Sequence, residues 1–167
     1  MAMAMAMAMI RAVLFDANGI LYYRPAAAAG ATVARDAIEL FPGVIPTLAT
    51  LRARGFLLGV ITDTDVSSAE KLRWLHARGL TLACDLFVNS EEEGVRKPHP
   101  AIYRAALVRG GVRADEALFV GHAAHELAVA RAVGIATVAC HADPGAVGNY
   151  QVERFADLLD LPLLGGE

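Results

Sequence analysis

Asp16 stands at the end of the apolar run Val13-Leu14-Phe15 and is followed by Ala17, Asn18 and Gly19. Such a run reads as a buried strand, and a strand end that hands a carboxylate to a glycine turn is where an open α/β sheet places its chemistry. A carboxylate there can act as a nucleophile; its simpler role is to cap the Gly19 turn. Other strand ends carry polar groups of their own. Thr62, with Asp63 after it, closes Phe56-Leu57-Leu58-Gly59-Val60-Ile61. Lys97 follows Leu86-Phe87-Val88 by a loop and immediately precedes Pro98. Gly121-His122 closes Ala117-Leu118-Phe119-Val120, with His125 and Glu126 close behind. Taken alone, Thr62 is an ordinary β-branched strand-end residue and Lys97 a solvated loop lysine.

His122, His125 and Glu126 invite a transition-metal reading, since imidazole suits Zn²⁺ or Fe²⁺ and Asp16 could complete the set. Their spacing is not the His-Glu-x-x-His pattern that aligns ligands on one helix face. His76, His99 and His141 show no partner pattern and read as surface residues. Cys84 and Cys140 form no metal or redox motif, and they read as buried free thiols.

These residues need an alternating frame to bring them together. Strands are expected at 10–16, 56–62, 86–88, 117–121 and 135–139. Helices are expected at 31–40, 44–54, about 67–78, from Pro98 to about Val108, 125–133 and 151–160. Ser67 and Glu70 have capping-box spacing, Gly55 suits a helix C-cap, and Pro98 suits a first helical turn. Five apolar strands alternating with helices imply a doubly wound, Rossmann-like parallel sheet with helices on both faces. Ligands then bind at the carboxyl ends of the strands.

The ordered set of Asp16, Thr62, Lys97 and Gly121-His122 resembles the four motifs of the haloacid dehalogenase (HAD) superfamily. The stretches Val13-Leu14-Phe15-Asp16-Ala17-Asn18-Gly19-Ile20-Leu21, Phe87 to Tyr103 and Ala117 to Gly121 carry the likeness. The resemblance implies a nucleophilic Asp16, a Thr62 hydroxyl on a phosphoryl oxygen, and a Lys97 cation that steadies Asp16 and the substrate anion. It gives a catalytic set of Asp16, Asn18, Thr62 and Lys97 and a substrate-binding set of Gly19, Thr62, Asp63 and Lys97. A metal set would be Asp16, His122 and Glu126. Phosphatases of the family carry an acid where this chain has Asn18, which is not ionisable, and losing a general acid/base typically costs ~10²–10⁴-fold. They also carry an Mg²⁺-binding Asp where this chain has His122, and Mg²⁺ prefers oxygen. Mg²⁺ is therefore expected to be weakened as a cofactor. Glu126 could supply one oxygen or could simply favour its helix N-terminus. Only a short segment containing Ala26-Ala27-Ala28-Ala29-Gly30 stands where many members insert a cap, so no sizeable cap domain is expected.

Composition narrows the rest. The chain has 167 residues, 56% of them hydrophobic and 20% charged, enough for one globular domain. A net charge of -3 argues against a nucleic-acid binder, and no apolar run approaches the ~20 residues of a membrane helix. Residues 1–9 alternate Met and Ala as a low-complexity extension, without the basic start of a secretory signal; residues 10–167 form the single HAD-like domain. The expected protein is cytoplasmic, binds a phosphorylated or other anionic ligand and forms a homo-dimer. Three functions remain open: a phosphatase-type hydrolase of weak or absent activity, a non-catalytic fold that binds a phospholigand or a protein, and a metal-independent haloacid-dehalogenase-type hydrolase.

Overall fold

The computed structural model describes residues 8–34 and 37–165. In chain order its strands and α-helices are β1 (Ala12–Asp16), β2 (Tyr22–Tyr23), β3 (Glu39–Leu40), α1 (Val44–Ala53), β4 (Leu57–Thr62), α2 (Ser68–Ala77), β5 (Leu86–Asn89), α3 (Ser90–Glu93), α4 (Pro100–Gly110), β6 (Ala117–Gly121), α5 (Ala124–Val133), β7 (Ala136–Cys140) and β8 (Tyr150–Val152). The main sheet has the order β5-β4-β1-β6-β7-β8, and every neighbouring pair in it is parallel. Its first strand is central, and the order reverses beside it, between β4 and β6. That reversal is where an open sheet leaves a crevice at its carboxyl ends.

Both faces are covered. Val13 and Phe15 of β1 point into one core, with Val44, Leu48 and Leu51 of α1, Leu75 of α2 and Phe155. Leu14 points into the other, with Ile102 and Ala106 of α4 and Leu127 and Ala130 of α5. All five β1 residues are buried, which is why the strand reads as a continuous apolar run rather than an alternation. Ser67 caps α2 by accepting from the Glu70 N–H at 3.2 Å, the start that the sequence predicts. Among the described residues no helix is long and apolar enough to cross a membrane.

The structure corrects several sequence expectations. The sheet has six strands rather than five, because Tyr150–Val152 pairs with β7 at its edge. The chain from 151 does not form a helix: the edge strand takes its start, and residues 155–160 form a 3₁₀ turn in which Phe155 and Leu158 are buried. Three-residue spacing suits a 3₁₀ helix, whose side chains eclipse at that interval. No helix spans 31–40 among the described residues. Glu39 and Leu40 instead pair antiparallel with Tyr23 and Tyr22, and the Tyr23 hydroxyl donates to the Glu39 carboxylate at 2.6 Å; Arg35 and Asp36 lie outside the described residues. The helix after Lys97 starts at Pro100 rather than Pro98, with His99 as its cap. The first strand starts at Ala12 rather than residue 10. Most of the Met/Ala repeat, residues 1–7, lies outside the described residues. Between β1 and α1 the described chain forms only the two-residue strands β2 and β3, so no large cap stands over the sheet.

Candidate functional site

Asp16 ends β1, and its neighbours across the sheet end beside it: Ile61 precedes Thr62, and Thr62 pairs with Asn89. Asp16 is 6% exposed, Thr62 2% and Lys97 7%. Burial this deep excludes the reading of Lys97 as a solvated loop lysine. Its ammonium donates to Asp16 Oδ1 at 2.5 Å and to Glu126 Oε2 at 3.3 Å. Its backbone N–H donates to Asp63 Oδ1 at 3.0 Å, which fixes the loop carrying it. Asp63 thus holds Lys97 in place through the main chain. Thr62 Oγ1 donates to the Asp63 carbonyl at a long 3.4 Å.

On the other side of Asp16 stands His122, just beyond β6. Its Nε2 lies 3.1 Å from Asp16 Oδ2, and its Nδ1 lies 3.1 Å from Asp143 Oδ1. The Asp143 N–H also donates to the His122 carbonyl at 3.0 Å. Gly19 makes room for the ring. A Cβ on Gly19 would sit 2.5 Å from His122 Nε2, and Gly19 has φ +89, a conformation that side chains disfavour. The Gly19 carbonyl lies 3.2 Å from His141 Nδ1, and the His141 ring stacks on Phe41 with centroids 4.0 Å apart. His141, just past β7, therefore packs against the turn that carries Gly19 and is not a surface residue without partners. Asn18 is exposed on that turn.

The electrostatics follow from this packing. Burial favours a neutral Asp16, but the Lys97 charge and the His122 hydrogen bond outweigh it and hold the carboxyl below its ordinary range. Burial works against the Lys97 charge, and Asp16 and Glu126 reverse that and raise its pKa. Burial raises Glu126, for which Lys97 only partly compensates. The hydrogen bond to Asp16 raises His122 against its desolvation, and Asp143 adds to the effect, bringing it to about 9.

Asp16, Thr62, Lys97, His122 and Glu126, all singled out from the sequence, are brought together at the β1–β4–β6 edge. His125 is not: it is exposed on α5, while Glu126 turns to Lys97. Three groups were missed from the sequence. Asp143 lies just past the end of β7, so the strand-end rule that found Asp16 could have found it. His141 and the Lys71–Tyr22 contact, in which the ammonium donates to the phenol oxygen at 2.5 Å, gave no motif signal.

The donor set can be tested against Mg²⁺. Among the described residues no group of three His, Cys, Asp or Glu side chains is placed to hold a metal ion. Each oxygen of Asp16 faces a nitrogen cation or donor rather than an open coordination position, and Glu126 faces Lys97. The residues as they stand do not fit Mg²⁺, a hard ion that needs several oxygens around it.

The chain is similar to known proteins in both sequence and fold. The family described as haloacid dehalogenase-like hydrolase matches residues 16–134. A phosphoglycolate phosphatase of Rhodospirillum rubrum is 37% identical over 124 residues, covering 73% of this chain and 47% of that protein. A glyceraldehyde 3-phosphate phosphatase of Methanopyrus kandleri is 35% identical over 135 residues, covering 74% and 57%. The chain thus spans about half the length of these relatives. Among solved structures, a HAD phosphatase from Thermococcus onnurineus superposes with a TM-score of 0.76 at 21% identity, over 95% of this chain and 99% of that one. A 2-haloacid dehalogenase from Pseudomonas syringae superposes with a TM-score of 0.74 at 20% identity, over 91% and 97%. These two show the shared fold. With the sequence match running from Asp16 through the helix after His122, the chain belongs to the haloacid dehalogenase-like hydrolase family.

Proposed function

We propose that this chain is a phosphatase-type HAD scaffold that binds a phosphorylated or other anionic ligand at Asp16, Thr62 and Lys97 and turns it over weakly or not at all with Mg²⁺. The observation that carries the reading is the Asp16–Lys97 pair, buried at the strand-end edge beside a Thr62 hydroxyl with one long contact. Asp16 is the nucleophile, Thr62 and Lys97 receive the phosphoryl oxygens, and Gly19 shapes the turn beside them. Asp63 acts through the Lys97 loop. The relatives' names, phosphoglycolate phosphatase and glyceraldehyde 3-phosphate phosphatase, support a small phosphate monoester as the substrate class. Asn18 can neither protonate a leaving group nor activate water, and His122 stands where the family pattern has an Mg²⁺ carboxylate.

A metal-independent displacement on carbon, as in a haloacid dehalogenase, is favoured by one observation: Asp16 is held entirely by nitrogen groups, and halide needs no proton to leave. A cytoplasmic setting suits the free thiols Cys84 and Cys140. The homo-dimer would draw on exposed apolar side chains such as Met9, Tyr23, Val108 and Val147 among the described residues.

The test is hydrolysis of an aryl phosphate with and without Mg²⁺. The unmodified chain should show little turnover, and Asn18→Asp alone should recover little. His122→Asp should restore metal binding without an acid. The double variant should exceed the sum of the single changes, since acid and metal act on one transition state. Once metal is bound the acid is worth ~10²-fold or more. Strong Mg²⁺-dependent turnover by the unmodified chain would refute the reading.

A further inference from the structure

We propose that Lys71 receives a second anionic group of the substrate, a carboxylate carried beyond the phosphoryl group, so that this site selects phosphate monoesters with an acidic tail. The proposal rests on the phosphatase-type reading above and narrows its substrate class.

The observation behind it is a buried cation without a counter-ion. Helix α2 buries two side chains one turn apart, Lys71 and Leu75. Leu75 enters the core. Lys71 lies a turn nearer the carboxyl ends of the strands and is 3% exposed. A Leu or Met would sit there at no electrostatic cost, so the ammonium needs a reason. Among the described residues it donates to the Tyr22 oxygen at 2.5 Å, and no carboxylate pairs with it. Lys97, buried as deeply, has both Asp16 and Glu126. A buried charge without a partner is costly, and burial is the largest influence on Lys71. An ammonium has three donors and no acceptor. One serves Tyr22, and two remain for an incoming anion.

Tyr22 places this cation beside the nucleophile. The Gly19 N–H donates to the Tyr22 carbonyl at 2.7 Å, the Tyr22 N–H donates to the Ala17 carbonyl at 3.4 Å, and Asn18 pairs with Tyr22. Tyr22 thus belongs to the turn that leaves Asp16. The charges of Asp16, Asp65 and Lys97 all reach Lys71 through space. The ring centroids of Tyr22 and Trp74 lie 5.2 and 5.3 Å from the ammonium and wall it with apolar surface. The exposed Arg24 lies over the same indole at 5.9 Å and adds positive charge at the approach. An ester with two anionic ends meets a cation at each, Lys97 at one and Lys71 at the other. A neutral tail leaves the second ammonium buried and unanswered.

Calorimetric titration at neutral pH with Mg²⁺ present tests this, using phosphoglycolate, ethyl phosphate and inorganic phosphate as ligands. The unmodified chain should bind phosphoglycolate ~10-fold or more tightly than ethyl phosphate, the worth of one charge-assisted hydrogen bond. Lys71→Met should bring the two affinities together. Equal affinity of the unmodified chain for the two esters, or a preference that Lys71→Met retains, would overturn the proposal and leave the phosphatase-type site standing. Binding of none of the three ligands would overturn both. A second measurement needs no variant. Trp74 is the chain's single tryptophan, so phosphoglycolate should change its fluorescence where ethyl phosphate and inorganic phosphate do not. The same response to all three ligands would overturn the proposal whatever the variant does.

Discussion

Lys97 ties the chemistry to stability at a single residue. Its side chain is 2% exposed, and it faces two carboxylates, Asp16 and Glu126. Removing the ammonium leaves two buried acids without their cation. Breaking a buried pair from one side typically costs ~3–5 kcal/mol. Lys97→Met should therefore destabilise the fold by about that amount in urea at pH 7. The loss should shrink near pH 4–5, where the stranded carboxyls can take up protons; an equal loss at both pH values would show that packing, not charge, is at stake. Gly19 makes a second case. Its φ of +89 and the 2.5 Å approach of a Cβ to His122 Nε2 mean that Gly19→Ala adds backbone strain of ~1–2 kcal/mol and pushes the ring off Asp16. Urea melts should show the strain, and phosphate titration should show weaker binding. Unchanged phosphate binding in Gly19→Ala would separate the turn from the anion site. The residues that make up this centre were largely legible in the sequence, because Asp16, Thr62, Lys97 and His122 each follow an apolar strand or the loop after one. Asp143 obeys the same rule less visibly, since it stands three residues past Cys140 at the start of Asp143-Pro144-Gly145, where Asp is also an ordinary turn residue.

At the scale of elements, the buried strands and the capped helices were legible and the small edge pieces were not. The apolar runs of β1, β4 and β6 have no alternative partner but the sheet, and Ser67 announces α2. β8 has three residues, too few for any period to show. The alanine-rich segment before α1 has helix formers, yet pairing of Glu39–Leu40 with Tyr22–Tyr23 wins, a tertiary contact that propensity does not contain. That pairing also sets Tyr22 under α2, where it meets Lys71. The Lys71 ammonium is 3% exposed as a residue, donates to Tyr22 Oη, and lies over the rings of Tyr22 and Trp74 at 5.2 and 5.3 Å. Burial is the main force on it and lowers its pKa to about 8. Lys71→Met alone should change stability little at pH 7, because it relieves a buried charge but strands the Tyr22 hydroxyl at ~1–3 kcal/mol. Adding Tyr22→Phe removes that orphan, and the double variant should be more stable than the parent by denaturant unfolding. A double variant less stable than Lys71→Met would mean that the hydroxyl has a second partner of greater weight.

At the scale of the molecule, these two cations give the fold a pH profile with opposing slopes. The folded pKa of His122, about 9, lies above the ordinary histidine value near 6.5. Its contribution is complete below the unfolded value and is lost as pH rises through about 9, since the folded state then holds a proton that the unfolded state does not. The groups facing it are Asp16 from β1 and Asp143 from the loop after β7, with Lys97 and Glu126 on the far side of Asp16. Lys71 runs the other way. Its folded pKa of about 8 lies below the ordinary 10.5, so between those values the unfolded state binds more protons and stability rises with pH. Asp16, Asp65, Arg24, Lys97 and the Tyr22 hydroxyl are the charged and titratable groups acting on it. Thermal melts should therefore show a falling midpoint from pH 6.5 toward 8, then a flatter stretch toward pH 9 where the two terms offset. His122→Gln should remove the fall and leave a rise above pH 8, while Lys71→Met should leave the fall uninterrupted through pH 9. If His122→Gln melts with the parent's slope between pH 6.5 and 8, the imidazolium is not held by Asp16 and Asp143 in the folded chain.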